Sequence, residues 1–352
     1  MPHRALRWLP AALAPVVVAG AVAIPLAATA SADLPDRSPA QVLALVAHAT
    51  SLPGYTGEIT QSSDLGLPEL PSTGPGSDSQ TASALELLTG SHRASIAVAG
   101  TTRSRVAVQD PMGERDVVRN GDTVWLWNSA KNTAEQVTVD TSAVPPERST
   151  TMTPQSAAEE AIARITPSTA VSVETTTTVA GHAAYTLVLT PKTDATTVGS
   201  VRIAVDGSTG LPLRVQLFAR GAAAPAFEVG FTQLDYTVPA ASRFDFSAPS
   251  GATVEHHTVT PGTHHSSPSS SAALPAKPTV TGTGWDAVVT IPAADVPAAL
   301  DSNATFLRLT EPAPAGGRVL STSLITVLRT GDGRVLAGAV PMSRLVALAA
   351  QG

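Results

Sequence analysis

Four stretches between residues 183 and 234 alternate apolar and polar side chains with a period of two. Tyr185, Leu187 and Leu189 share one side of the first, and Val201, Ile203 and Val205 share one side of the second. Leu213, Val215 and Leu217 do the same in the third, and Phe227, Val229 and Phe231 in the fourth. Successive side chains of a strand point to opposite faces, so this spacing predicts four strands with one apolar face in common. Val106 and Val108, set against Arg105 and Gln109, predict a further strand of the same kind. Candidate strands span 55–61, 93–100, 103–109, 114–119, 123–128, 135–140, 170–178, 183–190, 199–206, 211–219, 226–234 and 243–246, with 285–291, 324–329 and 334–340 in the carboxy-terminal part. Only three helices are expected to cover them: 39–50, 154–165 and a short terminal one after Pro341. A sheet must bury its apolar face against something. So few helices cannot cover so many strands laid flat. The chain is therefore expected to be mainly β with a few helices, its antiparallel sheet strongly curved around them and enclosing apolar space.

Local signals place the elements. Ser38-Pro39-Ala40-Gln41 combines an N-cap, a proline at the first helical position and a capping-box glutamine. Asn120-Gly121 predicts a hairpin turn, as do Ala180-Gly181 and the run Asp206-Gly207-Ser208-Thr209-Gly210. In 123–128 both faces are apolar, with Trp125 and Trp127 side by side on one of them. Residues 62–80 read as a surface loop, and the Ser/Pro-rich run 259–278 reads as a flexible linker. The expected organisation is a leader over 1–32, a principal domain over 33–258, the linker, and a carboxy-terminal extension over 279–352 with strands and a terminal helix.

The amino terminus sets the compartment. Arg4 and Arg7 precede an apolar run broken by Pro10, Pro15 and Pro25, and Ala30-Ser31-Ala32 ends it. This predicts a secretory signal peptide cleaved after Ala32 and an extracytoplasmic product. A membrane anchor is the alternative; the prolines and the small-residue ending oppose it. The chain has no cysteine, which excludes disulfides, thiolate catalysis and thiolate metal sites. A formal net charge of −6 argues against a nucleic-acid partner.

No Gly-x-Ser-x-Gly elbow, P-loop or His-Glu-x-x-His motif is present, so no catalytic residue, cofactor or metal site is expected. The pairs His256-His257 and His264-His265 flank the linker, where no fixed neighbours are expected to orient them on a metal. Asp206 and Asp332 read as turn residues.

Several motifs carry a resemblance. Helix 39–50 is followed by Gly54-Tyr55-Thr56-Gly57-Glu58-Ile59, and Asn120 to Asn128 forms a Gly-Asp-Thr-Val-Trp-Leu-Trp hairpin strand. Val179 to Pro191 contains Ala-Gly-His-Ala-Ala-Tyr-Thr-Leu-Val-Leu-Thr-Pro, Asp206 to Arg214 contains Gly-Leu-Pro-Leu-Arg, and Phe244 to Gly251 contains Phe-Asp-Phe and Pro-Ser-Gly. In this order the set resembles the bacterial lipoprotein-carrier (LolA/LolB-like) superfamily over residues 35–255. The resemblance implies a half-open β-barrel whose hydrophobic cavity holds the acyl chain of a lipid or lipoprotein. The MucB/RseB-type regulators of envelope-stress sigma factors use the same fold and bind a membrane-bound anti-sigma factor, so the fold leaves carrier and regulator open. The Pro-Leu-Arg hairpin and the long carboxy-terminal part look closer to that regulatory branch. With the resemblance, the ligand cavity is expected to be lined by Val106, Val108, Trp125, Trp127, Tyr185, Leu187, Leu189, Ile203, Val205, Leu213, Val215, Leu217, Phe227 and Phe231. Ordinary core packing is the alternative for the aromatic members.

Overall fold

The computed structural model describes residues 34–49, 52–67, 90–110, 113–139, 163, 165–259, 278–296, 300, 302, 304–314 and 316–351. The expected leader, most of helix 154–165, the greater part of loop 62–80 and nearly all of the linker lie outside the described residues.

Twelve strands form one open sheet in the order β12-β6-β5-β4-β3-β2-β1-β11-β10-β9-β8-β7. They are β1 (Gly54–Ser63), β2 (Gly90–Ala99), β3 (Arg103–Asp110), β4 (Gly113–Asn120), β5 (Thr123–Asn128) and β6 (Thr133–Val139). After them come β7 (Thr169–Val179), β8 (His182–Pro191), β9 (Val198–Asp206), β10 (Pro212–Ala219), β11 (Phe227–Asp235) and β12 (Thr253–Val259). Neighbouring strands are antiparallel except β12, which lies parallel on β6. The sheet is therefore mixed and does not close, with β7 and β12 as its edges. It curls enough for His182 of β8 to reach the carbonyl of Leu234 in β11 at 3.3 Å, although β9 and β10 lie between them in the sheet order.

Helix α1 (Pro39–Ala49) begins on its capping box: Gln41 N–H donates to Ser38 Oγ at 3.3 Å, and Ser38 N–H donates to Gln41 Oε1 at 2.8 Å. Its fully buried Val42 packs with Tyr185, Leu187 and Val205, joined by Leu43, Leu45, Val46, Val171, Val173, Leu189 and Ile203. Burying a side chain of this size is worth about 1.5–3 kcal/mol, so this patch fixes α1 on β7–β9. The buried Tyr185 hydroxyl donates to the Pro35 carbonyl at 2.7 Å and accepts from Arg37 Nε at 3.2 Å. The chain entering α1 is thus tied to the same strand that the helix covers.

Two sequence expectations change. Residues 243–246 do not form a strand; Ala241–Phe244 is a 3-10 turn in a strap that crosses from β11 to β12. The strap lays Phe244 on Ala97 and Ala99 and brings Phe246 to 5.3 Å from Trp125 and 6.2 Å from Trp127 between ring centroids. The single solvated face expected of the sheet also fails at β8 and β9. Ala184, Val188 and Ala204, which alternate with Tyr185, Leu187 and Val205, are buried as well.

A second sheet of six strands has the order β13-β14-β18-β17-β16-β15. These are β13 (Thr279–Thr281), β14 (Val288–Ile291), β15 (Glu311–Pro312), β16 (Arg318–Ser321), β17 (Thr326–Arg329) and β18 (Val335–Gly338). Two helices accompany them, α2 (Ala304–Leu309) and α3 (Met342–Ala349). This sheet has its own core of Val288, Val319, Leu328, Leu336, Val340 and Leu345, against which Met342, Val346 and Leu348 pack. It docks on the large sheet through Leu324, Trp285 and Ala339, which cluster with Val198, Val201, Leu217, Ala226 and Phe227. Thr197 N–H donates to the Ala339 carbonyl at 2.9 Å and Trp285 Nε1 donates to Thr169 Oγ1 at 2.7 Å, so polar groups at the seam are paired.

Candidate functional site

The strand register sorts the expected cavity residues by face. Val173, Leu187, Ile203, Val215 and Val229 are successive cross-strand partners, as are Val171, Leu189, Val201, Leu217 and Phe227. Tyr185 pairs with Val205 on that same face, and Phe231 pairs with Ile59. Through β1 the face continues into β2–β6. Gly57 pairs with Ile96, Ile96 with Val106, Val106 with Val117, Val117 with Leu126, and Leu126 with Glu135. Val108 lies one row along, paired with Arg115 and Ala94. Leu213 occupies a bulge between Pro212 and Arg214 and is buried in a cluster with Val179, Ala184 and Ala204.

Trp125 and Trp127 are not on this face. Trp125 pairs with Val118, which pairs with Arg105; Trp127 pairs with Asp116. The strap's Phe246 meets both indoles there, and an ion pair from Arg105 to the buried Asp116 lies beneath. Glu114, two residues along β4, has its carboxyl raised above the ordinary value by a hydrogen bond with Asp116, by burial and by the Asp116 charge, with Arg105 opposing.

The face that carries α1 is occupied unevenly. The helix buries Tyr185, Leu187 and Val205, and the second sheet meets Leu217 and Phe227. Over β2–β5 the row Ile96–Val106–Val117–Leu126 has no comparable cover among the described residues. Val117 is 43% exposed and Leu126 37%. A depression of about 510 Å³ lies over this part of the sheet, floored by Val108, Val117 and Leu126. Arg115, Asp116, Trp127, Lys131, Glu135 and Glu255 line it as well. Sequence reasoning missed Ile96, Val117 and Leu126. The signal was present in the second apolar face of 123–128; of the two expected indoles, Trp127 also borders the depression, whereas Trp125 does not.

The remaining polar cluster has a local purpose. The buried Asp206 carboxylate accepts from Ser208 N–H (2.8 Å), Ser208 Oγ (2.6 Å), Thr209 N–H (2.9 Å) and Tyr236 Oη (2.8 Å). Burial pushes this carboxyl up, but the Ser208, Thr209 and Tyr236 hydrogen bonds together hold it below the ordinary aspartate value. Burial, followed by the nearby Asp206, pushes the Tyr236 phenol well up despite the Thr209 hydrogen bond. Asp206 therefore braces the β9–β10 turn. Among the described residues no group of three or more His, Asp or Glu is placed to hold a metal ion, and no helix is long and apolar enough to cross a membrane.

An open, curled sheet with a helix on one face and a partly uncovered apolar row defines a half-barrel of the mainly β class. Among solved structures the chain is similar to MucB and to LolA-superfamily proteins, the two groups that its motifs resemble. The MucA/MucB complex of Pseudomonas aeruginosa is matched at 16% identity with a TM-score of 0.44, over 88% of this chain and 96% of that chain. A LolA superfamily protein from Nitrosomonas europaea is matched at 11% identity and a TM-score of 0.24, over 60% of this chain and 99% of that one. A putative outer membrane lipoprotein-sorting protein domain from Vibrio parahaemolyticus gives 9% identity and a TM-score of 0.23, over 58% and 97%. No family model and no curated protein matches the chain.

Proposed function

We propose that this protein holds the apolar chain of a lipid or lipoprotein against β2–β5, outside the cytoplasmic membrane. The observation that supports the reading is the apolar row of β2–β5, in which Val117 and Leu126, with Val108 beside them, floor a 510 Å³ depression that no described segment covers. An acyl chain gains about 0.8 kcal/mol per buried methylene, so a groove of this kind needs no polar anchor to retain one. The leader features of residues 1–32 support the compartment. Protein purified from its native envelope is expected to release lipid on organic extraction and to show lipid adducts by native mass spectrometry. Lipid-free protein that also takes up no fatty acid from solution overturns the reading.

A second reading is an envelope-stress regulator that senses such a ligand and binds a membrane-bound anti-sigma factor or lipoprotein. It is favoured by the edge strand β13, where Val280 is 63% exposed. An open edge is a template on which a partner strand can be added. A single-span membrane protein captured by the full chain and lost with Val280→Pro supports it. Capture unaffected by that substitution removes β13 as its basis.

A further inference from the structure

Among the described residues the two sheets leave four edges, and three of them are blunted. β15 is two residues long and carries Pro312, β13 has three residues, and β7 is irregular between Glu174 and Thr177. Short strands, proline and bulges keep an edge from pairing with another chain. β12 has none of these. It runs seven residues without proline, lysine or a register shift, and Thr253 to Thr258 are all exposed. Thr253 N–H donates to the Asn132 carbonyl at 3.0 Å, so Thr253, Glu255 and His257 turn their main-chain groups to β6. Val254, His256 and Thr258 therefore turn theirs to the free edge.

We infer that β12 is the contact strand of a homodimer, pairing antiparallel with β12 of a second copy about a two-fold axis at His256. Such an axis, normal to the sheet, sets one residue opposite itself. Centred on Glu255 it opposes two carboxylates, and like charges directly opposite are destabilising. Centred on His256 it sets Glu255 opposite His257 of the second copy, once on each side of the axis. In one copy a single imidazole serves both acids, with His257 Nε2 at 3.5 Å from Glu135 Oε1 and from Glu255 Oε2. The second copy brings another imidazole to Glu255. The cost is one contact between the two His256 rings, each of which is already bonded to Gln136 at 2.6 Å. This register also gives the longest ladder. Hydrogen-bonded pairs form at Val254 with Thr258, at His256 with itself and at Thr258 with Val254. Thr253 and Glu255 border the depression over β2–β5, so the axis opens both depressions on the same side of one continuous sheet.

The full chain is expected to show a monomer–dimer equilibrium in analytical ultracentrifugation. His256→Pro removes an N–H that faces outward, where an edge strand tolerates proline, so the melting temperature is expected to change little. It takes one hydrogen bond from each strand, and the dimer is expected to dissociate at about thirtyfold higher concentration. The chain has no cysteine, which allows the register to be read directly. Hydrogen-bonded partners lie about 5.5 Å apart at Cα, within disulfide reach. His256→Cys is therefore expected to give a disulfide-linked dimer under mild oxidation, and Val254→Cys, which faces Thr258, is not. Cross-linking of both variants alike, or of neither, overturns the inference. A chain that stays monomeric at every concentration also overturns it and leaves the edge to a strand of another protein. Should His256→Pro fail to fold, the two cysteine variants still decide.

Discussion

Val106 and Trp125 stand on opposite faces of the same sheet, although only β4 separates their strands. Val106 shares a row with Val117 and Leu126, whereas Trp125 shares one with Val118 and Arg105. Strand β5 therefore serves two surfaces: Leu126 borders the open depression, and Trp125 meets Phe246 of the strap, with Trp127 touching Phe246 and also bordering the depression.

That division predicts a split between binding and stability. Leu126→Asp places a charge in the floor of the depression and is expected to reduce uptake of a fluorescent fatty acid at least tenfold. At 37% exposure it costs the fold little. Trp125→Ala, which packs on Phe246 and does not line the depression, is expected to leave uptake nearly unchanged and to lower the melting temperature. Equal loss of uptake in both variants removes the assignment of faces.

The strap makes a second prediction. Phe246 is half-buried and meets Trp125 and Trp127, while Asn120 Nδ2 donates to Asp245 Oδ1 at 3.3 Å. Phe246→Ala is expected to cost about 2–3 kcal/mol, below the ~3–5 kcal/mol typical of a fully buried phenylalanine. Hydrogen exchange is expected to speed up first in β12, the strand that the strap delivers to β6. An unchanged denaturation midpoint would show that the strap does not hold the outer face.

The Asp206 brace carries a pH dependence. Its folded pKa is depressed, so its contribution to stability is fully present above the unfolded value of about 3.9 and is lost as pH falls through the lower folded value. Asp206→Asn is expected to be less stable than the unaltered chain at pH 7. The two should converge below about pH 3. Parallel stability curves from pH 7 to pH 2 would contradict this.

Gly210 adjoins the same turn. Its φ is +78°, and an added Cβ would lie 2.0 Å from the Leu45 carbonyl oxygen in α1. Gly210→Ala is expected to cost more than about 2 kcal/mol and to loosen α1 from β9. Gly121→Ala is the control: φ is +65° but nothing lies within 4 Å, so about 1 kcal/mol is expected. Equal melting temperatures for the two variants would show that α1 does not press on this hairpin.

Much of the architecture was legible in the chain because its signals are local. The Ser38–Gln41 capping box, the turns at Gly121 and at Ala180-Gly181, and the alternation that sets Leu187 and Leu189 on the α1 side all rest on neighbours within a few residues. The family resemblance rested on the same local motifs taken in order.

What the sequence by itself determined was most strands of the large sheet, though not β12, and the sorting of their side chains by face, because a period of two needs only the strand that contains it. Tertiary structure alone decided which apolar face of β5 is covered. Phe246, more than a hundred residues away, chooses the tryptophan side, and β12 returns parallel to β6 to bring Glu255 beside Glu135. The same alternation would serve either outcome, since burial depends on which distant segment arrives and not on the strand that receives it.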